Sequence, residues 1–284
     1  MALLLPGLID DQSWNQAVYS GLMRAGKDGV RVAYTERVTQ DQQTEVFRNY
    51  ARRGFTVIIG GGGEYLDAAM QVAGEFPSVQ FVVANATKAG GNVTGLAINY
   101  GDMGYLAGVL AAHMSQSKTV AVVSGQPIPI AQDAVRGFKA GAARGDPSID
   151  VRVTFTGSFD DVEKAREAAL ALISDNADVV WHLLDAADVG VLTAAEDKGA
   201  MVIGLYTDQS KAAPKAHIGA VLADPATMIY EAAIGSSRLD GRVHVDGIAE
   251  GVVTVGEFSP RVPESVRQAV KAAAEDILTA RTRY

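Results

Sequence analysis

One repeated pattern constrains this chain more than any other: short apolar runs of strand length, each followed by an amphipathic helical stretch. Strand-like runs fall at 2–5, 30–35, 56–60, 80–85, 93–99, 119–124, 150–156, 178–184 and 201–205. Helical patterns at about 14–27, 42–53, 64–76, 101–114, 131–144, 160–174 and 187–198 come between them. Strands alternating with helices give βαβ units, whose parallel sheets are covered by helices on both faces. So many alternations exceed one doubly wound sheet, and the pattern predicts an α/β protein of two lobes, each with its own sheet. Past Leu205 the rhythm loosens, with strands at 217–222 and 248–255 and an Ala-rich helix at 264–282. A further helix at 225–238 opens on Asp224-Pro225, an N-cap followed by proline at the first helical position. No Pro/Gly/Ser-rich linker separates the halves, which predicts ordered crossings that act as a hinge. The expected lobes are 1–99 with 220–253, and 100–219 with 254–284.

A length of 284 residues fits that division, since a chain of this size favours two cores over one. The formal net charge of −8 is spread along the sequence and offers no basic face, which argues against a nucleic-acid partner. With no cysteine there is neither a disulfide nor a thiolate metal site, a composition that fits an exported bacterial protein. No apolar run reaches membrane-spanning length. The chain starts directly at its first core strand, which reads as a protein whose signal peptide has been removed.

Functional candidates lie where strands hand over to helices. The opening stretch Asp10-Asp-Gln-Ser-Trp14-Asn15-Gln16 places one of two tryptophans at such a point, and Ser13 with Gln16 has capping-box spacing. Trp14 is suited either to packing the first helix on the sheet or to stacking on a flat ligand. The glycines at 60–63, including Gly61, lack the Gly-Lys-Ser/Thr of a phosphate-binding loop and indicate close backbone approach. Asn85, Phe159, Asp185, Tyr206 and Asp208 also sit at strand ends, and in a parallel sheet these ends share one edge. The four histidines are scattered without metal-ligand spacing, and no Gly-x-Ser-x-Gly elbow occurs. Amides, carboxylates and aromatics without a nucleophile–base pair predict binding, with no catalytic residue, metal or cofactor.

Several of these segments resemble the basic membrane protein family of ABC-transporter substrate-binding lipoproteins. Asp10 to Gln16 is similar to that family's Asp-Asp-Lys-Ser-Phe-Asn-Gln start, with Trp14 for Phe. Tyr105-Leu-Ala-Gly108, Gly137-Phe-Lys-Ala-Gly141, Gly157-Ser-Phe-Asp-Asp161 and Thr207-Asp-Gln209 resemble later motifs of the family, in the same order. The resemblance spans nearly the whole chain. It implies a type I periplasmic-binding-protein (Venus-flytrap) fold with a purine base or nucleoside in the interlobe cleft, between the aromatics at Trp14 and Phe159. Asn15 belongs to the same first motif. It also implies an extracytoplasmic, lipid-anchored or periplasmic monomer that docks on a membrane ABC permease.

The departures carry information too. Where nucleoside binders have an acidic residue nine positions before the first aromatic, this chain has Leu5. Asn85 replaces a carboxylate, Tyr206 an aspartate and Ala223 a lysine. The groups that hold ribose are therefore altered while the aromatics remain. The ligand expected is a flat heteroaromatic such as a free base, with a sugar or other small polar metabolite as the alternative. A cytoplasmic ligand-sensing regulator of the same fold is a second alternative, and an enzyme of nucleoside metabolism a third.

Overall fold

The computed structural model describes residues 1–11, 14–235 and 238–279. The first stretch supplies β1 (Ala2–Leu4), α1 (Trp14–Lys27), β2 (Ala33–Thr35), α2 (Gln43–Arg52) and β3 (Val57–Gly60). A 3-10 turn (Gly63–Tyr65) leads into α3 (Leu66–Ala73), β4 (Gln80–Ala84) and β5 (Val93–Ile98). Next come α4 (Tyr100–Met114), β6 (Thr119–Ser124), α5 (Pro129–Gly145), β7 (Asp150–Phe155), α6 (Val162–Ser174) and β8 (Val179–Leu183). They are followed by α7 (Asp188–Lys198), β9 (Met201–Tyr206), β10 (His217–Ala223), α8 (Pro225–Ala233) and β11 (Val243–Asp246). The last described elements are β12 (Val253–Val255) and α9 (Glu264–Leu278).

The chain divides into two units, Met1–Ile98 with Asp224–Asp246 and Asn99–Ala223 with Gly247–Tyr284. The first holds a sheet of order β11-β5-β4-β3-β1-β2, parallel throughout. The second holds β12-β10-β9-β8-β6-β7, parallel except for the β10–β12 pair. Every residue of β5, β6 and β8 is buried, the signature of strands covered on both faces. The sequence-based lobe limits at 220 and 253 fall inside β10 and β12, which pair with each other and so stay in the second unit. The strand expected at 248–255 is only β12. Ahead of it the chain turns through Gly251 (φ 72°), and the amides of Val252 and Val253 both donate to the Gly247 carbonyl. Strand β11, not expected from the sequence, pairs with β5.

Aromatic edges fill the first unit's core on the α2–α3 face: Phe47 meets Tyr65 at 6.1 Å and Phe81 at 5.7 Å, both edge-on. In the second unit, Trp181 of β8 stacks flat on Phe138 of α5 at 5.6 Å. Helices α4 and α5 approach backbone to backbone through glycines four apart, the spacing of one packing ridge. A Cβ on Gly104 would overlap the Ala134 carbonyl, and one on Gly108 that of Phe138. From the other helix, Gly137 and Gly141 meet the carbonyls of Gly101 and Tyr105 in the same way. Two of the family-like segments, 105–108 and 137–141, are therefore packing motifs. Gly104→Val forces a branched side chain into backbone and should cost about 3 kcal/mol or more, given 1–3 for ordinary overpacking. Urea denaturation of wild type and variant measures it.

Candidate functional site

The first unit builds its candidate residues into a self-bracing loop. Asp11 accepts hydrogen bonds from the amides of Asn15 and Gln16, both at 2.9 Å, and from Asn15 Nδ2 at 2.7 Å. A carboxylate at a helix start satisfies free amides and meets the positive end of the helix dipole. Ser13, the cap expected from spacing, lies outside the described residues. Asn15 is buried, and its Oδ1 accepts from the Gly7 amide at 3.1 Å, so both ends of its amide are held. Trp14 is 7% exposed, and its Nε1 donates to the Gly61 carbonyl at 2.6 Å. The ring is thereby fixed against the glycine loop. Gly61 is glycine for the reason its run suggested: a Cβ would lie 2.8 Å from the Leu4 carbonyl and 2.9 Å from Leu5 Cδ2. Leu5 itself is fully buried. Asp10 is exposed on the same loop.

Asn85 follows β4 with φ 55°, in the left-handed region. Its amide donates to Leu96 O at 2.6 Å, and its Oδ1 accepts from the Ile98 amide at 3.4 Å. Tyr206, at the end of β9, also has positive φ, 61°. Asparagine tolerates that conformation; a bulky aromatic there is strained, and such strain clusters at functional sites.

The second unit gathers the other candidates. Gly157 (φ 86°) starts the loop after β7, Ser158 Oγ accepts from the Asp160 amide at 3.1 Å, and Asp161 caps α6 through the Lys164 amide. Between them Phe159 is lifted out half-buried. Its carbonyl accepts from the amides of Asp185 (3.0 Å) and Ala187 (3.1 Å), and its ring lies on Gly125, where a Cβ would overlap it. Tyr206 Oη is 3.1 Å from Tyr100 Oη. Burial, then the nearby Tyr100 hydroxyl and Asp185 carboxylate, push the Tyr206 phenol well above its ordinary pKa. Phe159, Asp185 and Tyr206 thus belong to one neighbourhood. Gly125 and Tyr100 complete it and were not singled out in the sequence. Gly125 sits just past β6, so the strand-end rule was the signal available; Tyr100 had none.

Asp208 departs from this group. It is exposed and accepts from the Ser210 amide at 2.9 Å, which holds its carboxyl below the usual range. Its neighbour Gln209 points inward. Gln209 Oε1 accepts from the Leu205 amide (3.1 Å) and from His182 Nε2 (3.0 Å), while Nε2 donates to Asp188. One amide thus ties the strained end of β9 to β8 and α7. Among the described residues, no group of three His, Asp or Glu is placed to hold a metal.

His182 and His217 are buried, and His182 Nδ1 and His217 Nε2 have no hydrogen-bond partner. Burial depresses both pKa values, opposed at His182 by Asp188 and at His217 by Asp208. An imidazole held neutral in the fold takes up its proton more readily when unfolded, where its pKa is about 6.5. Stability is therefore full above that pH and falls as the pH drops through about 6.5 towards the depressed folded values. The melting temperature should fall between pH 7 and 5, and less steeply in His182→Gln; thermal melts across that range check it.

The chain has counterparts among known proteins. The family model described as "Bmp: ABC transporter substrate-binding protein PnrA-like" matches residues 1–280. The transcriptional activator protein med of Bacillus subtilis (strain 168) is 30% identical over 95% of this chain and 86% of its own length. A purine-binding protein of Brucella abortus (strain 2308) is 27% identical over 87% of this chain and 71% of its own length. The crystal structure of a transcriptional activator of the comK gene from Bacillus halodurans superposes with a TM-score of 0.88 at 26% identity, covering 99% of both chains. ABC solute-binding proteins of periplasmic-binding-protein fold share the two-sheet architecture.

Proposed function

Because the chain belongs to the Bmp family of PnrA-like ABC-transporter substrate-binding proteins, we propose that it is the solute receptor of an ABC importer and takes a flat heteroaromatic ligand of the purine-base class. Its partners are then that small molecule and a membrane permease, and its place is outside the cytoplasmic membrane, as a monomer. The observation that carries the ligand class is Phe159: a half-buried ring on a glycine bed, beside Asp185 and Tyr206. An aromatic face with adjacent hydrogen-bonding groups suits a base, whose face stacks and whose edge donates and accepts. Trp14 is the second aromatic of the same reading, with Asn15, Gly61 and Asn85 as its surroundings. The purine-binding relative supports the class. Leu5, Asn85, Tyr206 and Ala223 point away from a ribonucleoside, because the charged positions that the resemblance ties to ribose are neutral here.

Calorimetric titration with adenine, guanine and hypoxanthine, against adenosine and guanosine, tests this. Bases should bind more tightly than their nucleosides. Phe159→Ala should weaken binding by about 1–3 kcal/mol, roughly five- to 150-fold, without lowering the melting temperature. Submicromolar nucleoside binding would overturn the ribose argument.

A second reading has its own support in the similarity to a protein named as a transcriptional activator. A ligand-sensing regulator uses the same fold without a permease. Fractionation of cells expressing the complete gene separates the two: a receptor goes with the envelope, a regulator with the cytosol.

A further inference from the structure

The first unit contains a cavity that the purine reading does not use. Its volume is about 570 Å³, inside the 300–1,000 Å³ range of small-molecule sites. It opens among the segment after β2, the start of α2, the 3-10 turn and the loop after β4, and its polar lining is Gln40, Gln43, Glu64, Asp67, Thr87 and Lys88. Trp14 meets the glycine loop at Gly61, whereas the cavity takes Gly63 of that loop as part of its wall.

Gln43 carries the argument. The residue is 3% exposed and lines the cavity, and its side-chain amide, which makes no hydrogen bond among the described residues, keeps access to the open space. The packing of α2 does not need it there, since the helix already has its apolar face in Phe47, Tyr50 and Ala51. Around the rim, Glu64, Asp67 and Lys88 form no ion pair among the described residues. The Glu64 carboxylate folds back on Gly62, where a Cβ would overlap it, and desolvation pushes its pKa up. The cavity thus presents two amides, a hydroxyl and charges of both signs to something other than the protein.

We propose that this cavity binds a small polyhydroxylated molecule of monosaccharide size. A carboxamide offers an acceptor and two donors in one plane, and a hydroxyl donates and accepts at once, so Gln43 and Gln40 match neighbouring hydroxyls. Carboxylates at Glu64 and Asp67 accept from hydroxyl donors in charge-assisted bonds. Leu66, in the same lining, supplies an apolar surface for ring C–H groups. Its lining shares no residue with the candidate residues of the purine reading, and the proposal stands without that reading.

The test titrates D-glucose, D-galactose and D-ribose into the full chain, by calorimetry and by amide chemical shifts. Saturable binding of at least one sugar is expected, with shifts at Gln43, Glu64 and Thr87. Gln43→Leu should weaken it at least tenfold and leave purine binding unchanged. Thr87→Val, at the exposed rim, is the second variant and should weaken it several-fold with folding intact. Phe159→Ala should leave sugar binding in place whatever it does to purines. The proposal is overturned if none of the three sugars binds, if binding survives Gln43→Leu, or if Phe159→Ala abolishes it. Purine binding without sugar binding leaves the receptor reading standing alone, and the converse leaves this one.

Discussion

Parallel strand pairing is the constraint from which the rest follows. Each sheet is almost wholly parallel, so most strands return by a helix, β4–β5 and β9–β10 by a loop, and the carboxyl ends of parallel neighbours open on the same edge. Tyr206 lies at such an end, and Gly61, Asn85, Phe159 and Asp185 lie within a few residues past one. A meander of antiparallel hairpins would have scattered them to alternate edges. The buried central strands β5, β6 and β8 are the apolar cost of this arrangement, and their near-continuous Val, Ile, Leu and Ala make the rhythm readable.

Backbone strain at the edge is held by bonds that reach across the sheet. Tyr206 stands in the left-handed region at the end of β9 while Gln209, three residues on, is anchored to Leu205, His182 and Asp188. Phe159 is held the same way, its carbonyl shared by two amides from the segment after β8 and its ring resting on Gly125. Side chains that meet a ligand need such support, since a loop alone places them too loosely. His182 belongs to this scaffolding through its contact with Gln209, and burial holds its pKa down.

The alternation of elements, their approximate positions and the two-sheet division were legible because strand and helix periods are local properties of sequence. What escaped was non-local. Strand β11 is only four residues, Val-His-Val-Asp, and is a strand because β5 has a free edge to receive it. Tyr100 joins Tyr206 across 106 residues, and Gly125 receives Phe159 from another loop. The cap of α1 was sought in a Ser-x-x-Gln spacing, while Asp11 reaches the amides four and five residues ahead. Family-like motifs also proved to be of two kinds. Those at 105–108 and 137–141 lock helices, whereas those at 157–161 and 207–209 shape strand-end loops. Similarity in the first kind speaks of architecture.

The discontinuity of the first unit has a consequence for synthesis. Strand β5, buried along its whole length, gets its outer neighbour only from β11, and α1 packs closely against α8 at Gly21 and Ala226. Both α8 and β11 lie in 224–246, which leaves the ribosome after nearly all of the second unit's sheet. During translation the first unit therefore waits with an apolar edge and an uncovered helix face while its neighbour folds. An unpaired strand edge is a template for pairing with other chains. The nascent chain thus carries that unpaired edge from the synthesis of residue 98 until residue 246 has emerged.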